Sequence, residues 1–445
     1  MYNDQTTSFT APIRDAIGPF SGFSRNYPKD RSGIRLGPML DVREGLYFDM
    51  PRMRSEGRCG GPLVGILGDK DKGKSTVGKI LATEDGAVYN GMKQKRIYAD
   101  NHRHTEYAEL ARYYNNKMIG LDEKINVFDL EVGFTIADHQ ITGETLFVIA
   151  NDGTRPVNHQ QFVIETAVFK MFADTEREKS AESFARILLG LTEQDGYNYL
   201  LASVDFKDKT QNIDWEQFKQ DAGYVAQRVV RFLNGSFGKT IGGTGSIAKH
   251  LTGENLQGAS LGQDKLSRAT VINFYRKDEA TTAFLINYLN RIRTSAEERG
   301  DRRFMYDTEL HDENYGMWDY FEYSDDTVKR NKRSRTLENA PLFVFTTHSL
   351  LDYGSAKYSE LAFTNARGID VWFFFGMEKS ADREATRDFF KLSPMETERL
   401  ANLQVGQFGF KVGNEDVRFA EIVLTPMRRR LSYTNKANDD ALVRR

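Results

Sequence analysis

Gly68-Asp69-Lys70-Asp71-Lys72-Gly73-Lys74-Ser75 is the stretch that decides the fold of this chain. It fits the pattern G-x-x-x-x-G-K-[ST] of the phosphate loop, in which backbone N–H groups cradle the phosphates of a nucleotide. Both flanks agree with the motif, because residues 63–67 predict a short buried strand and residues 76–83 carry apolar side chains at helical spacing. Strand, loop and helix in this order are the context that the motif requires. The sequence therefore predicts a nucleotide-binding site.

The residue types in the loop explain the predicted chemistry. Gly73 lets the backbone approach a phosphate, and the N-terminus of the following helix adds partial positive charge. Lys74 would reach the β- and γ-phosphates, and the Ser75 hydroxyl would hold Mg²⁺. Two carboxylates, Asp69 and Asp71, are unusual beside a polyanion, and two lysines offset them. The predicted nucleotide-binding residues are Gly68, Asp69, Lys70, Asp71, Lys72, Gly73, Lys74, Ser75 and Thr76.

The composition is that of an ordinary globular protein. The chain has 445 residues, 40% of them hydrophobic and 28% charged, which is enough for two or three domains or one large core with insertions. The net charge of −2 excludes a whole-surface attraction to nucleic acid, so any DNA contact requires a local lining. Cys59 is the only cysteine, which excludes a disulfide framework and a thiolate zinc site. The sequence has no N-terminal signal and no apolar run of membrane length, so we expect a soluble protein.

Strand and helix patterns alternate along most of the chain, as is typical of α/β proteins with a mainly parallel sheet. A helical pattern interrupts this alternation, and the strands then resume. Strands are predicted at 45–49, 63–67, 96–100, 270–274, 304–306, 342–345 and 371–375, with a closing pair at 406–412 and 419–424. The predicted division is an N-terminal arm (1–36), a first part of the core (37–155), a helical insertion (156–235), a second part of the core (236–427) and a basic tail (428–445).

A phosphate loop needs a carboxylate on a neighbouring strand to help hold Mg²⁺. Asp307 is the predicted partner because it follows a short apolar run, and Glu309 is the predicted base that positions the attacking water. Asp312 and Glu313 are alternatives to Glu309. Thr308 stands directly after the aspartate, where such sites usually carry glutamate. The sequence therefore allows two alternatives: either the chain turns sharply after Asp307, or hydrolysis is weak.

Further candidates lie downstream. The strand predicted at 342–345 is followed by His348, which is either a structural histidine or a sensor of the γ-phosphate. The basic run 329–335 is either a solvated loop or the source of an arginine finger that reaches the nucleotide of a neighbouring subunit, with Arg333 and Arg335 as candidates. Arg367, just before the strand at 371–375, is a second candidate finger.

Several stretches, taken in order, resemble the motor domain of the large ATPase of type IV secretion and conjugation machines. This is the VirB-four, TraC-like family, a branch of the HerA/FtsK superfamily of P-loop ATPases. The likeness covers roughly residues 36–430, and only the phosphate loop is specific by itself. The other resembling stretches are 36–49, 97–100, 106–107, 125–129, Asp307, 346–348, 392–393, 406–408 and 424–426.

The resemblance implies a RecA-like core with a helical insertion, ATP with Mg²⁺ as the cofactor, and a hexameric ring with ATP between its subunits. It also implies docking at the cytoplasmic face of a membrane channel, with components of a type IV secretion or conjugation system as partners. The chain departs from the family pattern at three positions. Asp71 stands where a glycine is usual, Thr308 occupies the glutamate position, and His348 replaces a common glutamine.

Three functions are consistent with the sequence. The first is an ATP-hydrolysing motor that energises conjugation or type IV secretion. The second is a HerA/FtsK-like DNA translocase or phage packaging pump, which direct stimulation by duplex DNA would favour. The third is an ATP-gated assembly subunit that hydrolyses ATP poorly.

Overall fold

A computed structural model of the chain describes residues 33–84, 94–99, 107, 118–119, 125–128, 134–193, 214–242, 245–246, 268–273, 279–298, 308–313, 315–337 and 340–432. Most of the predicted arm and tail, the predicted strand at 304–306, and Asp307 lie outside these residues.

The β-structure of the described residues consists mainly of one large sheet. In chain order the strands are β1 (Ile34–Pro38), β2 (Gly45–Phe48), β3 (Leu63–Leu67), β4 (Gln94–Ala99), β5 (Met118–Ile119), β6 (Ile125–Asn126), β7 (Gly245–Ser246), β8 (Arg268–Asn273), β9 (Thr308–Asp312), β10 (Leu342–Thr347), β11 (Val371–Phe374), β12 (Gln407–Val412) and β13 (Arg418–Glu421). Nine of them form a sheet in the order β13-β12-β11-β3-β10-β9-β4-β8-β5. From β11 to β5 neighbouring strands are parallel, whereas β12 and β13 add an antiparallel edge. The predicted α/β class with a mainly parallel sheet is confirmed.

Helices pack around this sheet. They are α1 (Met50–Ser55), α2 (Lys74–Glu84), α3 (Ile136–Ala150), α4 (Asn158–Ala173), α5 (Ala181–Gly190), α6 (Trp215–Leu233), α7 (Ser236–Ile241), α8 (Glu279–Glu298), α9 (Phe321–Ser334), α10 (Leu350–Ser355), α11 (Ser359–Arg367), α12 (Ser380–Phe390), α13 (Pro394–Ala401) and α14 (Pro426–Ser432). Because crossover connections place helices on both faces of a parallel sheet, the central strands are buried throughout.

Alternate residues of the central strands belong to two separate apolar clusters. In β3, Leu63 and Leu67 face the cluster that includes α3 to α6, whereas Val64 and Ile66 face the cluster that includes β1, β2 and α2. This division follows from the two-residue period of a strand. The sheet therefore packs against an apolar core on each face, which fixes the relative positions of its strand ends.

Residues 156–235, the predicted helical insertion, contain α4, α5 and α6, which pack against one another; α4 and α6 also pack against α3. The helical region begins at Ile136, earlier than the predicted residue 156. Thr135 caps α3 through a capping box with Asp138, which explains why a helix starts there. Since α3 also packs on α8, it connects this group of helices with α8.

The basic run at 329–335 does not form a loop, because residues 329–334 belong to α9. Its members point in different directions: Lys329, Lys332 and Arg333 are exposed, whereas Arg330 is buried. Among the helices that the structure describes, none is long and apolar enough to cross a lipid bilayer.

Candidate active site

The phosphate-loop stretch joins β3 to α2, as its motif predicts. Gly73 has φ of +112°, and a Cβ atom there would come within 3.2 Å of the Phe375 ring. Glycine is therefore required both by the backbone conformation and by the closeness of the ring. Asp71 also lies in the left-handed region, with φ of +62°. Aspartate tolerates this region better than most residues, which explains how it can occupy this position.

One side of the loop is fastened to the segments that follow β11 and precede β12. The backbone N–H of Glu378 donates to Asp69 Oδ2 at 2.6 Å, and the N–H of Asp69 donates to the carbonyl of Gly376 at 3.0 Å. Lys72 Nζ is 2.8 Å from Glu378 Oε1, and the N–H of Gly406 donates to the Lys72 carbonyl at 3.2 Å. The Asp69 carboxylate, unexpected beside phosphate, therefore has a structural role in holding the loop.

Lys74 is buried at the start of α2, with 5% of its surface exposed. Its ammonium donates to the Asp69 carbonyl at 2.9 Å and lies 2.9 Å from His348 Nδ1. Burial lowers the pKa of Lys74, and the charges of Glu313 and Asp312 oppose this shift. Lys74 and His348, predicted separately from the sequence, are thus direct neighbours.

Two acids lie at the carboxyl end of β9, next to β10. Thr346 Oγ1 donates to Asp312 Oδ1 at 2.6 Å and accepts the backbone N–H of Glu313 at 2.8 Å. Tyr107 donates its hydroxyl proton to Asp312 Oδ2 at 2.6 Å. The chain turns directly after Asp312, because Glu313 has φ of +52°. Glu313 Oε1 then lies 3.0 Å from His348 Nε2.

Glu309, the predicted base, is not brought to the loop. Its carboxylate is fully buried and accepts from the guanidinium of Arg330 at 3.0 and 3.3 Å and from His311 Nε2 at 2.5 Å. Burial acts to raise the pKa of Glu309, but the charge of Arg330 and the hydrogen bond of His311 hold it well below its ordinary value. Glu309 and His311 lie on one face of β9, whereas Asp312 lies on the other. Glu309 therefore belongs to a buried ion-pair cluster behind the strand.

The three candidate fingers lie away from the loop of their own chain. Arg335 donates to the carbonyl of Gly368 at 2.9 Å, just before the amino end of β11, and Arg367 ends the helix that leads to the same strand. Arg333 is exposed in the last turn of α9, before the amino end of β10. The phosphate loop lies at the opposite side of the sheet, where the carboxyl ends of the parallel strands are. Any role of these arginines at a nucleotide therefore requires a neighbouring subunit.

The donors at this site fit Mg²⁺ better than a transition metal. The described residues contain no group of three or more histidine, cysteine, aspartate or glutamate side chains that could hold a metal ion alone. The hydroxyl of Ser75 and the carboxylate of Asp312 are hard oxygen donors, which suit an ion that keeps waters and shares its ligands with phosphates. Asp307, the predicted ligand, lies outside the described residues.

The sequence contained a signal for the observed acids. Asp312 and Glu313 are adjacent, which is the spacing usual for this type of site. This signal was missed because β9 is polar: Glu309 and His311 do not fit the apolar pattern expected of a buried strand, so no strand was predicted to end at Asp312. Thr346 and Tyr107, which hold the Asp312 carboxylate, carried no motif that could identify them.

Comparisons with known proteins support the fold. No protein-family model matches the chain, and no curated protein matches its sequence. Among solved structures, VirB4 of Thermoanaerobacter pseudethanolicus superposes with a TM-score of 0.62 over 90% of this chain and 99% of its own, at 16% identity. This chain has the RecA-like P-loop fold.

A second set of solved structures shares this RecA-like fold. The bacterial conjugative coupling protein TrwB, in an unbound form, superposes with a TM-score of 0.53 over 89% of this chain and 90% of its own, at 12% identity. TrwB in complex with ADP and Mg²⁺ gives a TM-score of 0.52 over 91% of this chain and 93% of its own, at 12% identity. The RecA-like core predicted from the resemblance is thus confirmed as a fold.

Proposed function

We propose that this chain is an Mg²⁺-dependent ATPase, an oligomeric motor that energises conjugative DNA transfer or type IV secretion. The observation that carries the proposal is the meeting of Lys74, His348 and Glu313 at the phosphate loop. The fold supports it, since the solved structures that superpose include VirB4 and complexes of TrwB with ADP and Mg²⁺ and with an ATP analogue.

The proposed roles follow from the contacts. Lys74 binds the β- and γ-phosphates, and Ser75 with Asp312 would hold Mg²⁺, which when bound neutralises charge on the phosphates. Glu313 orients the attacking water and replaces Glu309 in this role, because Glu309 is enclosed by Arg330 and His311. In this arrangement the residue after the strand-end aspartate is a glutamate. Thr308 therefore no longer argues for weak hydrolysis.

His348 connects the two ends of the site. Because an ammonium can only donate, Nδ1 of His348 accepts from Lys74, and its ring proton on Nε2 donates to Glu313. A γ-phosphate accepts hydrogen bonds from the same ammonium. His348 thereby links occupancy of the phosphate site to the orientation of Glu313, which is the proposed form of its γ-phosphate sensing.

The oligomeric part of the proposal is a ring, a hexamer by resemblance, with ATP between subunits. Arg333, Arg335 and Arg367 lie at or lead to the edge of the sheet opposite the phosphate loop, which suits fingers that act on a neighbour's nucleotide. The proposed partners are other copies of this chain and the components of a type IV secretion or conjugation channel at the cytoplasmic face of the membrane. The proposed division is an arm, a two-part core with a helical insertion, and a basic tail.

The test is steady-state ATP hydrolysis with Mg²⁺, measured with and without duplex DNA, with Lys74→Ala as the blank. Hydrolysis above the blank that is indifferent to DNA supports a secretion motor driven by protein partners. Strong stimulation by DNA supports the DNA-pump function instead. Nucleotide-dependent assembly with turnover no greater than the blank overturns the motor proposal in favour of an ATP-gated subunit.

A further inference from the structure

The two ends of the proposed nucleotide site differ in character. Lys74, His348, Asp312 and Glu313 gather at the carboxyl ends of β9 and β10, on one side of β3. This side receives the γ-phosphate in the proposed function, on which the present inference rests. A nucleotide lying along the loop therefore directs its base to the other side of β3, where β11 and β12 lie.

A rigid turn stands on that other side. The N–H of Gln407 donates to the carbonyl of Gln404 at 2.9 Å, and Gly406 has φ of +85°. These values describe a β-turn with glycine at its third position, where positive φ is required, and Val405 at its second. The N–H of Gly406 donates to the Lys72 carbonyl, and its own carbonyl accepts the N–H of Ile422 at 2.9 Å. The turn is thus fixed between the phosphate loop and the chain that follows β13.

Val405 is the exposed apolar group of this turn. It is 70% exposed, although it is adjacent to a residue bonded directly to the phosphate loop. A β-branched side chain on a fixed backbone has little rotamer freedom to lose when a flat ring packs on it. The backbone N–H groups of Gln404, Gly406 and Gln407 already donate within the protein, so the apolar surface of the turn is the side chain of Val405.

We propose that the turn Gln404–Gln407 is the base-side wall of the nucleotide site and that the purine base packs against Val405. Because the contact is apolar, it holds adenine and guanine similarly, since it makes no hydrogen bond that distinguishes the edges of the two bases. Val405 is then a determinant of affinity for nucleotides and has no part in binding the phosphates.

The test compares three ligands in the presence of Mg²⁺: ATP, GTP and inorganic tripolyphosphate, which carries the phosphates without a base. Binding to the full chain is measured for the parent, Val405→Ser, Val405→Trp and Lys74→Ala. Met395→Ser, which alters a side chain that is 76% exposed on α13, is the matched control.

We expect Val405→Ser to lower the affinity for ATP and for GTP about 3- to 10-fold. Val405→Trp should raise both affinities about 5-fold or more, because aromatic rings stack on bases. Tripolyphosphate affinity should not change in either variant, and Met395→Ser should match the parent for all three ligands. We also expect the parent to bind ATP and GTP within about tenfold of each other.

Unchanged ATP binding in both Val405 variants, while Lys74→Ala abolishes it, overturns this inference and leaves the proposed ATPase intact. Equal weakening of ATP and tripolyphosphate by Val405→Ser also overturns it, because the turn would then act only through the shape of the loop. A parent that binds neither ATP nor tripolyphosphate overturns the proposed function as well.

Discussion

The Nζ atom of Lys74 lies 2.9 Å from Nδ1 of His348. The second nitrogen of the same imidazole lies 3.0 Å from Glu313 Oε1, so a single ring connects the phosphate-loop lysine to the acid that follows β9. His348 should therefore affect turnover more than nucleotide affinity. Thr346, which holds the two acids after β9, should likewise affect turnover without a general loss of stability.

Replacing His348 tests the connection directly. We expect His348→Ala to lower kcat at least about tenfold, because a positioned polar group at the reacting phosphate is lost. His348→Gln should retain most of the activity, since an amide oxygen can accept from Lys74 while the amide N–H donates to Glu313. Steady-state kinetics of the two variants check this prediction. Equal losses in both variants would show that the imidazole is needed for another reason.

Thr346 holds both acids at the end of β9, so its hydroxyl should matter for catalysis. Thr346→Val keeps the shape but removes the group that donates to Asp312 and accepts from Glu313. We expect kcat to fall about 10- to 100-fold, the range seen when a group that orients a metal ligand is lost. Thr347→Val is the matched control, because this buried neighbour donates instead to Asp352 Oδ2 at 3.1 Å. A comparable loss of kcat in both variants would contradict the assigned role.

Arg330 and Glu309 should be important for stability and not for chemistry. Arg330→Met leaves a buried carboxylate without its main ionic partner, and we expect unfolding free energy to fall by about 3–5 kcal/mol. Arg333→Met, an exposed position on the same helix, should change it by less than about 0.5 kcal/mol. Denaturant unfolding measures both values. Equal stability of the two variants would show that the buried pair contributes little.

The same pair predicts a pH dependence. The pKa of Glu309 is lower in the folded chain than its ordinary value of 4.5. The stabilisation it gives is therefore fully present above pH 4.5 and is lost only as the pH falls toward its folded-state pKa. The stability difference between the parent and Arg330→Met should be constant at neutral pH and shrink in acid. A difference that grows as the pH falls would contradict this sign.

Asp71 should be replaceable by glycine. At φ of +62° glycine has no steric cost, whereas alanine lacks both that freedom and the local hydrogen bonding of aspartate. We expect the melting temperature of Asp71→Gly to equal or exceed that of the parent. The melting temperature of Asp71→Ala should be lower, corresponding to a loss of about 1 kcal/mol in the free energy of unfolding. Thermal unfolding of the three proteins gives the order. A stable Asp71→Ala would mean that the loop readily adopts another conformation.

Much of the fold could be predicted because local patterns agree with the tertiary structure. The strand at 63–67 matches β3, the strand at 342–345 matches most of β10, and the closing strand pair matches β12 and β13. In these segments apolar runs, caps and turns indicate the same element. The phosphate-loop stretch was likewise predicted to lie between a strand and a helix, and it joins β3 to α2.

The acids could not be placed from the sequence because their strand is stabilised by contacts from distant residues. Glu309 and His311 are buried in β9 only because Arg330, on α9, pairs with the carboxylate. Without knowledge of that partner, the polar strand resembles a loop, and the basic helix resembles a solvated segment. The contact between Arg330 and Glu309, which the sequence does not reveal, is therefore the physical reason for both differences. It explains why Glu309 was predicted as the base and why the run 329–335 was predicted as a loop.

Glu313, not Glu309, is the proposed catalytic base. Its most direct test compares Glu313→Gln with Glu309→Gln, measuring ATP affinity and steady-state hydrolysis per ATP-binding site in each. We expect Glu313→Gln to bind ATP like the parent but to turn over at least about 100-fold more slowly, as expected for loss of a general base. Glu309→Gln should be less stable yet turn over within about threefold of the parent per competent site, because its carboxylate does not reach the nucleotide. Near-parental turnover in Glu313→Gln, together with loss of turnover in Glu309→Gln, would show that Glu309 and not Glu313 is the catalytic base.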